Sequence, residues 1–295
     1  MVLLRPHRPS QTEAELAASF DLPRYSRRDV LWTLASLGAA TALGCSNPGT
    51  TTTSSSSSST ESSCVVETNV TRGPYFVDAV NDTNDTTTNG SAYALDSLIP
   101  KRSDIRTDSE GSAGTMPGVP VVLTITVNNA ACTGTLSGYR VDIWQCNATG
   151  VYSDVLASTN DNGLDHRGEN FLRGYQYTDS NGQVTFTTLY PGAYSGRAPH
   201  IHLKVRNIAE STEAGASVTP TTEATTQLFF TDAMSAAVYA GNSSYSTKGY
   251  DTTNAKDSIY ASESPALMPT MSGTVADGYT ATISLGIAVG AVNAG

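Results

Sequence analysis

Positive charge is scarce in this chain. Lys and Arg number 17 against 27 Asp and Glu, for a formal charge of −10 at neutral pH. Nothing resembles a basic patch, which excludes nucleic acid as a partner, since its phosphates need one. Long apolar runs are also missing. The charge-free stretch Val30 to Gly44 is fifteen residues long, short of the ~20 that a membrane-spanning helix needs. Cysteine is limited to positions 45, 64, 132 and 146 with no CxxC pair, so a four-cysteine zinc site is excluded by spacing. Four histidines are present. His7 belongs to the leader and His166 sits in a polar loop (Asp165-His166-Arg167) that reads as solvated. Only His200 and His202 are left for a core metal role, which disfavours three-histidine sites.

The N-terminal region reads as targeting rather than fold. Arg27 and Arg28 stand directly before the Val30–Gly44 run, the arrangement of a twin-arginine export signal. The run ends in Ala42-Leu43-Gly44-Cys45, which offers two readings. One is a lipoprotein cleavage box with a lipid on Cys45, the sole route to a membrane; the other is an ordinary signal peptide cut nearby. Residues 46–63 are rich in Ser and Thr and nearly devoid of apolar side chains, so they read as a flexible tether. A tether directly after Cys45 favours surface anchoring. Residues 1–45 are thus the expected signal, 46–63 the linker and 64–295 one domain. In an exported protein Cys132 and Cys146, flanking Thr133 to Gln145, are the expected disulfide, which leaves Cys64 over.

Because no long stretch carries a helical period, the domain reads as short strands. The predicted strands are Val119–Val127, Arg140–Gln145, Gly182–Leu189, His200–Val205, Thr225–Phe230 and Tyr279–Val289. Ser180-Asn181-Gly182 marks a tight hairpin turn. Ala233–Tyr239 and Ser258–Ser262 are each predicted to form a turn or two of helix. The expected fold is an all-β sandwich of mostly antiparallel strands, with long loops such as Ser153–Asn170 carrying the site.

The most informative segment is Tyr194-Ser195-Gly196-Arg197-Ala198-Pro199-His200-Ile201-His202. On a strand, side chains alternate, so both imidazoles lie on one face while Ile201 faces the core. Two imidazoles so placed can hold one metal ion from adjacent positions.

The ordered motifs Thr71-Arg72-Gly73-Pro74-Tyr75-Phe76, Val141-Asp142-Ile143-Trp144, Gly150-Val151-Tyr152-Ser153, Phe171-Leu172-Arg173-Gly174, Pro191-Gly192-Ala193-Tyr194, Arg197-Ala198-Pro199-His200-Ile201-His202 and Gln227-Leu228-Phe229-Phe230 resemble the intradiol ring-cleavage dioxygenases. These are iron(III) enzymes that split catechols between their hydroxyls, and this chain looks most like their exported, single-domain branch. The resemblance implies a non-haem Fe(III) held by Tyr152, Tyr194, His200 and His202. It implies that catechol displaces Tyr194 while Tyr152 stays bound, and that the released phenolate accepts a catechol proton. Arg197 would stabilise charge developing on the substrate, Gln227 would orient it, and Tyr75 would line the pocket. The partners implied are a catecholic molecule and O2. Oxygen adds to the ring, and an acyl shift and hydrolysis give a cis,cis-muconate.

Read without that resemblance, several of these residues have plainer roles. Tyr152 is a loop aromatic that packs, Tyr190 competes with Tyr194 beside Pro191-Gly192, Arg197 is an ion-pair partner, Gln227 satisfies backbone, and Trp144 is core. Gln145 and Arg72 depart from the family pattern. A non-catalytic, surface-tethered sandwich that binds aromatic or carbohydrate polymers is the alternative, because a fold does not dictate a function. A zinc hydrolase using His200 and His202 would need another ligand and a Glu base, and none stands at recognisable spacing.

Overall fold

In a computed structural model the described residues are 64–66, 70–73, 75–76, 99–109, 113–155, 162–208, 220–245, 249–262 and 267–292. The expected export signal (1–45) and the expected linker (46–63) lie outside them.

Alternation of apolar and polar residues builds the first sheet. Strand β2 (Pro120–Asn129) turns Val121, Leu123, Ile125 and Val127 inward, all fully buried, and Thr124 and Thr126 outward. It pairs antiparallel with β5 (Gln183–Leu189) and parallel with β9 (Gly278–Ile287). Strand β9 then pairs antiparallel with β8 (Thr270–Thr274) and, at its far end, parallel with the two-residue β1 (Val65–Val66). The second sheet has the order β4-β3-β6-β7, from Arg173–Tyr177, Arg140–Trp144, His200–Arg206 and Glu223–Phe229, all antiparallel. Val141, Ile143, Ile201, Leu203, Val205 and Leu228 from this sheet meet Leu123, Ile125, Phe186 and Leu285 from the first in one apolar core. The expected sandwich is therefore what forms, with the two parallel pairings of β9 added.

The helical expectations held. Helix α1 (Asp232–Gly241) is capped by Thr231, whose side chain accepts from the Met234 N–H, a cap worth about 1 kcal/mol. Helix α2 covers Ser258–Ser262. The tight turn at Asn181-Gly182 also forms. Asp179 Oδ1 accepts from the N–H of Asn181 and Gln183, both at 2.8 Å, and Gly182 takes φ +71°, where a Cβ would come within 2.7 Å of the Val127 carbonyl. Yet the strands it joins do not pair with each other. Strand β4 pairs with β3 and β5 with β2, so the turn is a corner between sheets rather than a hairpin.

The cysteine expectation is corrected. The disulfide joins Cys64 to Cys132, with Cα atoms 5.5 Å apart, and Cys146 stays a buried thiol. Strands β2 and β3 belong to opposite sheets, so the chain on either side of that crossing diverges. Cys132 follows β2 and remains at the first sheet, where β1 on the far edge brings Cys64 to it. Cys146 follows β3 into a second apolar cluster with Phe76, Trp144, Tyr152 and Val155.

Candidate metal centre

Strand β6 is central in its sheet, and its polar face is buried. Register places His202 between Trp144 on β3 and Gln227 on β7, and His200 beside Phe229. Both imidazoles are inaccessible to solvent, and their Nε2 atoms converge to 3.1 Å. The two rings are oriented differently. His200 Nδ1 donates to the Ala198 carbonyl at 2.7 Å, which leaves its Nε2 with the lone pair. His202 Nδ1 has no hydrogen-bond partner among the described residues. Its ring instead lies parallel to Trp144 (centroids 4.8 Å apart, planes at 8°), and a Cβ on Gly73 would reach its Cε1 at 3.0 Å. Stacking and a close backbone thus hold the second imidazole.

The tyrosines reach the same place from two loops. Tyr152 follows β3 on a turn pinned by Asn147, whose Oδ1 accepts from the N–H groups of Thr149 and Val151, each at 3.0 Å. Tyr194 lies in the Pro191–Arg197 turn that feeds β6, and its Oη is 3.5 Å from His200 Nε2. The Tyr152 ring is edge-on to both Tyr194 and His202, at 5.6 and 6.2 Å. Tyr75 stacks on Tyr152 at 4.5 Å and meets the edge of Tyr194 at 5.6 Å. All four expected ligands and the expected pocket tyrosine are therefore gathered. Tyr190, the competitor of Tyr194, is elsewhere: its hydroxyl bonds Ser235 at 2.7 Å beneath α1.

Burial governs the protonation of this group. It pushes the Tyr152 phenol well up, with Tyr194 adding to it, and pushes the Tyr194 phenol up as well. Burial pushes both histidines down, and for His202 the neighbouring His200 adds to it. On its own the site thus holds neutral imidazoles and protonated phenols. Only a strong Lewis acid would ionise such phenols. Among the described residues no three of His, Cys, Asp or Glu gather around one point; the side-chain oxygens beside the two imidazoles are the phenols of Tyr152 and Tyr194. Two nitrogen donors and two hard oxygen donors fit iron(III).

Arg197 donates to Tyr194 Oη at 3.1 Å and to Gln227 Oε1 at 2.5 Å. Its Nε donates to Asp257 Oδ2 at 2.9 Å, and the same oxygen accepts from the Ala198 N–H at 2.8 Å. The other oxygen of Asp257 accepts from the N–H groups of Ile259 and Tyr260 at the start of α2. The ion-pair reading of Arg197 and the site reading are thus both right, since the pairing aims its remaining donors at Tyr194. Asp257 was not legible in the sequence, being 60 residues from Arg197. Arg173 was also missed. It is 1% exposed and donates to the Ser153 hydroxyl and carbonyl and to the Tyr75 carbonyl, at 2.8 to 3.0 Å. It thereby ties the residue after Tyr152 to the segment bearing Tyr75. Trp144 had a signal, because it alternates with Ile143 and so lies on the face opposite the core.

One smaller expectation changed, and the two departures from the family pattern find local partners. His166 is partnered rather than merely solvated, with Nδ1 2.6 Å from Glu169 Oε2 and its ring edge-on to Phe171. Gln145 serves the frame: its amide donates to the Leu189 carbonyl at 2.9 Å and accepts from Thr188 at 2.8 Å. Arg72 lies over the Phe76 ring at 5.5 Å.

Known proteins resemble this chain. Residues 90–235 match the family described as Dioxygenase. An intradiol ring-cleavage dioxygenase from Tetranychus urticae superposes with a TM-score of 0.56 at 22% identity, over 76% of this chain and 95% of its own. A second dioxygenase superposes with a TM-score of 0.54 at 23% identity, over 77% and 95%. No protein in the comparison with curated proteins matches. The fold is that of the intradiol ring-cleavage dioxygenases, and the resemblance read from the motifs is borne out.

Proposed function

We propose that this chain is an iron(III)-dependent intradiol dioxygenase, which cleaves a catecholic aromatic with O2 to a cis,cis-muconate-type product and incorporates both oxygen atoms. The observation that carries this reading is the convergence of Tyr152, Tyr194, His200 and His202, with Arg197 aimed at Tyr194. Bound by those four residues, iron(III) would supply the Lewis acidity that ionises the phenols and activates a catecholate towards oxygen.

The protein's own groups have separable tasks. The bare Nε2 of His200 and the stacked ring of His202 are fixed donors that need no reorientation. Tyr152 is held from behind by the Arg173–Ser153 contacts and serves as the retained phenolate. Tyr194 sits in a turn partly open to solvent, where it can swing aside and take a catechol proton at Oη. Arg197 already contacts that oxygen at 3.1 Å, so it stabilises the phenolate before protonation and then the charge developing on the substrate.

Export through the twin-arginine route belongs to the same proposal. The Cys64–Cys132 bond supports an oxidising destination. Both cysteines are only partly buried, so the bond can close after the folded domain arrives.

The test is a visible spectrum and metal analysis of the purified protein, followed by anaerobic catechol and then air. A broad tyrosinate-to-iron(III) band that shifts with catechol and bleaches to a muconate absorbance under air is the expected result, and Tyr152→Phe should lose most of the colour. Protein that stays colourless after iron reconstitution would overturn the reading and favour the non-catalytic surface module.

A further inference from the structure

Gln227 is the one expected substrate-orienting group whose hydrogen-bonding ends are both engaged within the protein. Its Oε1 accepts from Arg197 Nη2 at 2.5 Å and its Nε2 donates to the Thr71 carbonyl at 2.9 Å. The amide has only this orientation available. A guanidinium offers donors alone and a backbone carbonyl acceptors alone, so flipping the group would lose both bonds.

The Thr71 carbonyl belongs to a segment that crosses the site. The N–H of Val70 donates to the Thr225 carbonyl at 3.0 Å, which fastens the segment to β7. Gly73 presses on His202, with φ +73°. The Tyr75 carbonyl takes Arg173 Nη1 at 2.8 Å, and the Tyr75 ring stacks on Tyr152 at 4.5 Å. Residues 70–73 and 75 thus form a strap along the metal site, attached to the same side chains that build it.

We infer that Gln227 is a positioning residue that ties this strap to Arg197, so that the placement of the Tyr75 ring, and with it the width of the catechol pocket, depends on the arginine. A strap held in this way would set how much bulk a catechol can carry on the Tyr75 side. This inference rests on the dioxygenase reading for its substrate class, but not for the tie itself.

Gln227→Glu separates the two ends of the amide. The carboxylate keeps its partner in Arg197 but faces the Thr71 carbonyl with no proton to donate, so the strap should loosen while the Arg197 contact survives. Arg72 supplies the readout. Trypsin cleavage after Arg72 should accelerate by about tenfold or more in the variant, because cleavage tracks the population of the opened segment. Cleavage after Arg167, in an exposed loop outside the strap, should not change and controls for general destabilisation. In steady-state kinetics, kcat/KM for a bulky 4-substituted catechol should rise relative to catechol, and the tyrosinate band should keep its position. Gln227→Met, which cuts both ends, should show the same cleavage pattern and stands in if the charged variant fails to fold.

Unchanged cleavage after Arg72 in the folded variants, with only KM for catechol raised, would mean that the amide serves the substrate directly and would overturn the inference. If the wild-type protein binds no iron and cleaves no catechol, the dioxygenase reading falls, while the proteolysis still decides whether Gln227 holds the strap.

Discussion

The two sheets of the sandwich share a core but use their other faces in opposite ways. On the five-stranded sheet the outward face is wet and uncharged: Thr124, Thr185, Thr280 and Thr282 stand in register on neighbouring strands, and Thr124 and Thr185 hydrogen-bond at 3.2 Å. On the four-stranded sheet every residue of β3, β6 and β7 is buried. Its non-core face carries His200, His202, Lys204 and Arg206 on one strand, with Asp142 and Glu223 beside them. Buried charges need partners there. Lys204 pairs with Glu223 at 2.8 Å, and Asp142 takes Arg140 at 2.6 Å and Arg206 at 2.8 Å. The candidate metal centre is the end of this ladder, where imidazoles and phenols follow the ion pairs. A β-sandwich can thus dedicate one outer face to solvation and the other to a dry polar layer, and the proposed chemistry uses the dry one.

The largest effect that would sharpen this contrast is at the ligands. His202→Ala should abolish both the tyrosinate-to-iron(III) band and catechol turnover while leaving the far-UV circular dichroism unchanged, because Ile201 and Leu203 on the opposite face still pack. Next is Asp142→Ala, which strands two buried guanidinium groups and should destabilise by about 3–5 kcal/mol in urea unfolding.

Asp142 also sets a pH signature. Burial alone would raise its pKa, but Arg140 and Arg206 together hold it below the usual value. A carboxylate whose folded pKa is depressed contributes stability that is present above the unfolded value and lost as pH falls through the folded one. Wild-type stability should therefore drop below about pH 4, with a shallower acid limb in Asp142→Asn. Equal acid limbs in the two proteins would break the comparison.

On the other sheet, reducing the Cys64–Cys132 bond opens a loop with a sequence separation of 68. The loss should be at most about 4 kcal/mol on the chain-entropy account, read as a lower urea midpoint, with the iron band unchanged. Smallest of all, Thr124→Ala on the wet face should shift stability by no more than about 0.5 kcal/mol. A larger loss there would show that this face is not simply solvated.

Much of the fold was legible because the core-facing half of each strand announces itself. Val121, Leu123, Ile125 and Val127 alternate with polar residues, and α2 and the turn at Gly182 fell where expected. Strands β1, β4 and β8 were not anticipated. Thr270-Met271-Ser272-Gly273-Thr274 is largely exposed, so it carries almost no apolar signal. In β4 the side chains that matter are an arginine and two tyrosines. For the site, the spacing of His200 and His202 fixed their common face, and the motif resemblance added Tyr152 and Tyr194. Asp257 and Arg173 escaped because a charged residue makes no periodic pattern, and their partners are distant in sequence.

By itself the sequence determined which residues alternate into a core and that two imidazoles share one side of a strand, because side-chain direction follows from local backbone geometry; the two tyrosines beside them came from the motif resemblance. Only the tertiary structure decided that this polar side would be buried rather than wet, that Cys64 rather than Cys146 would meet Cys132, and that Gln227 would spend its amide on Arg197 and Thr71. Those outcomes depend on which strands become neighbours, and that choice is made by the packing of the whole chain rather than by any local run of residues.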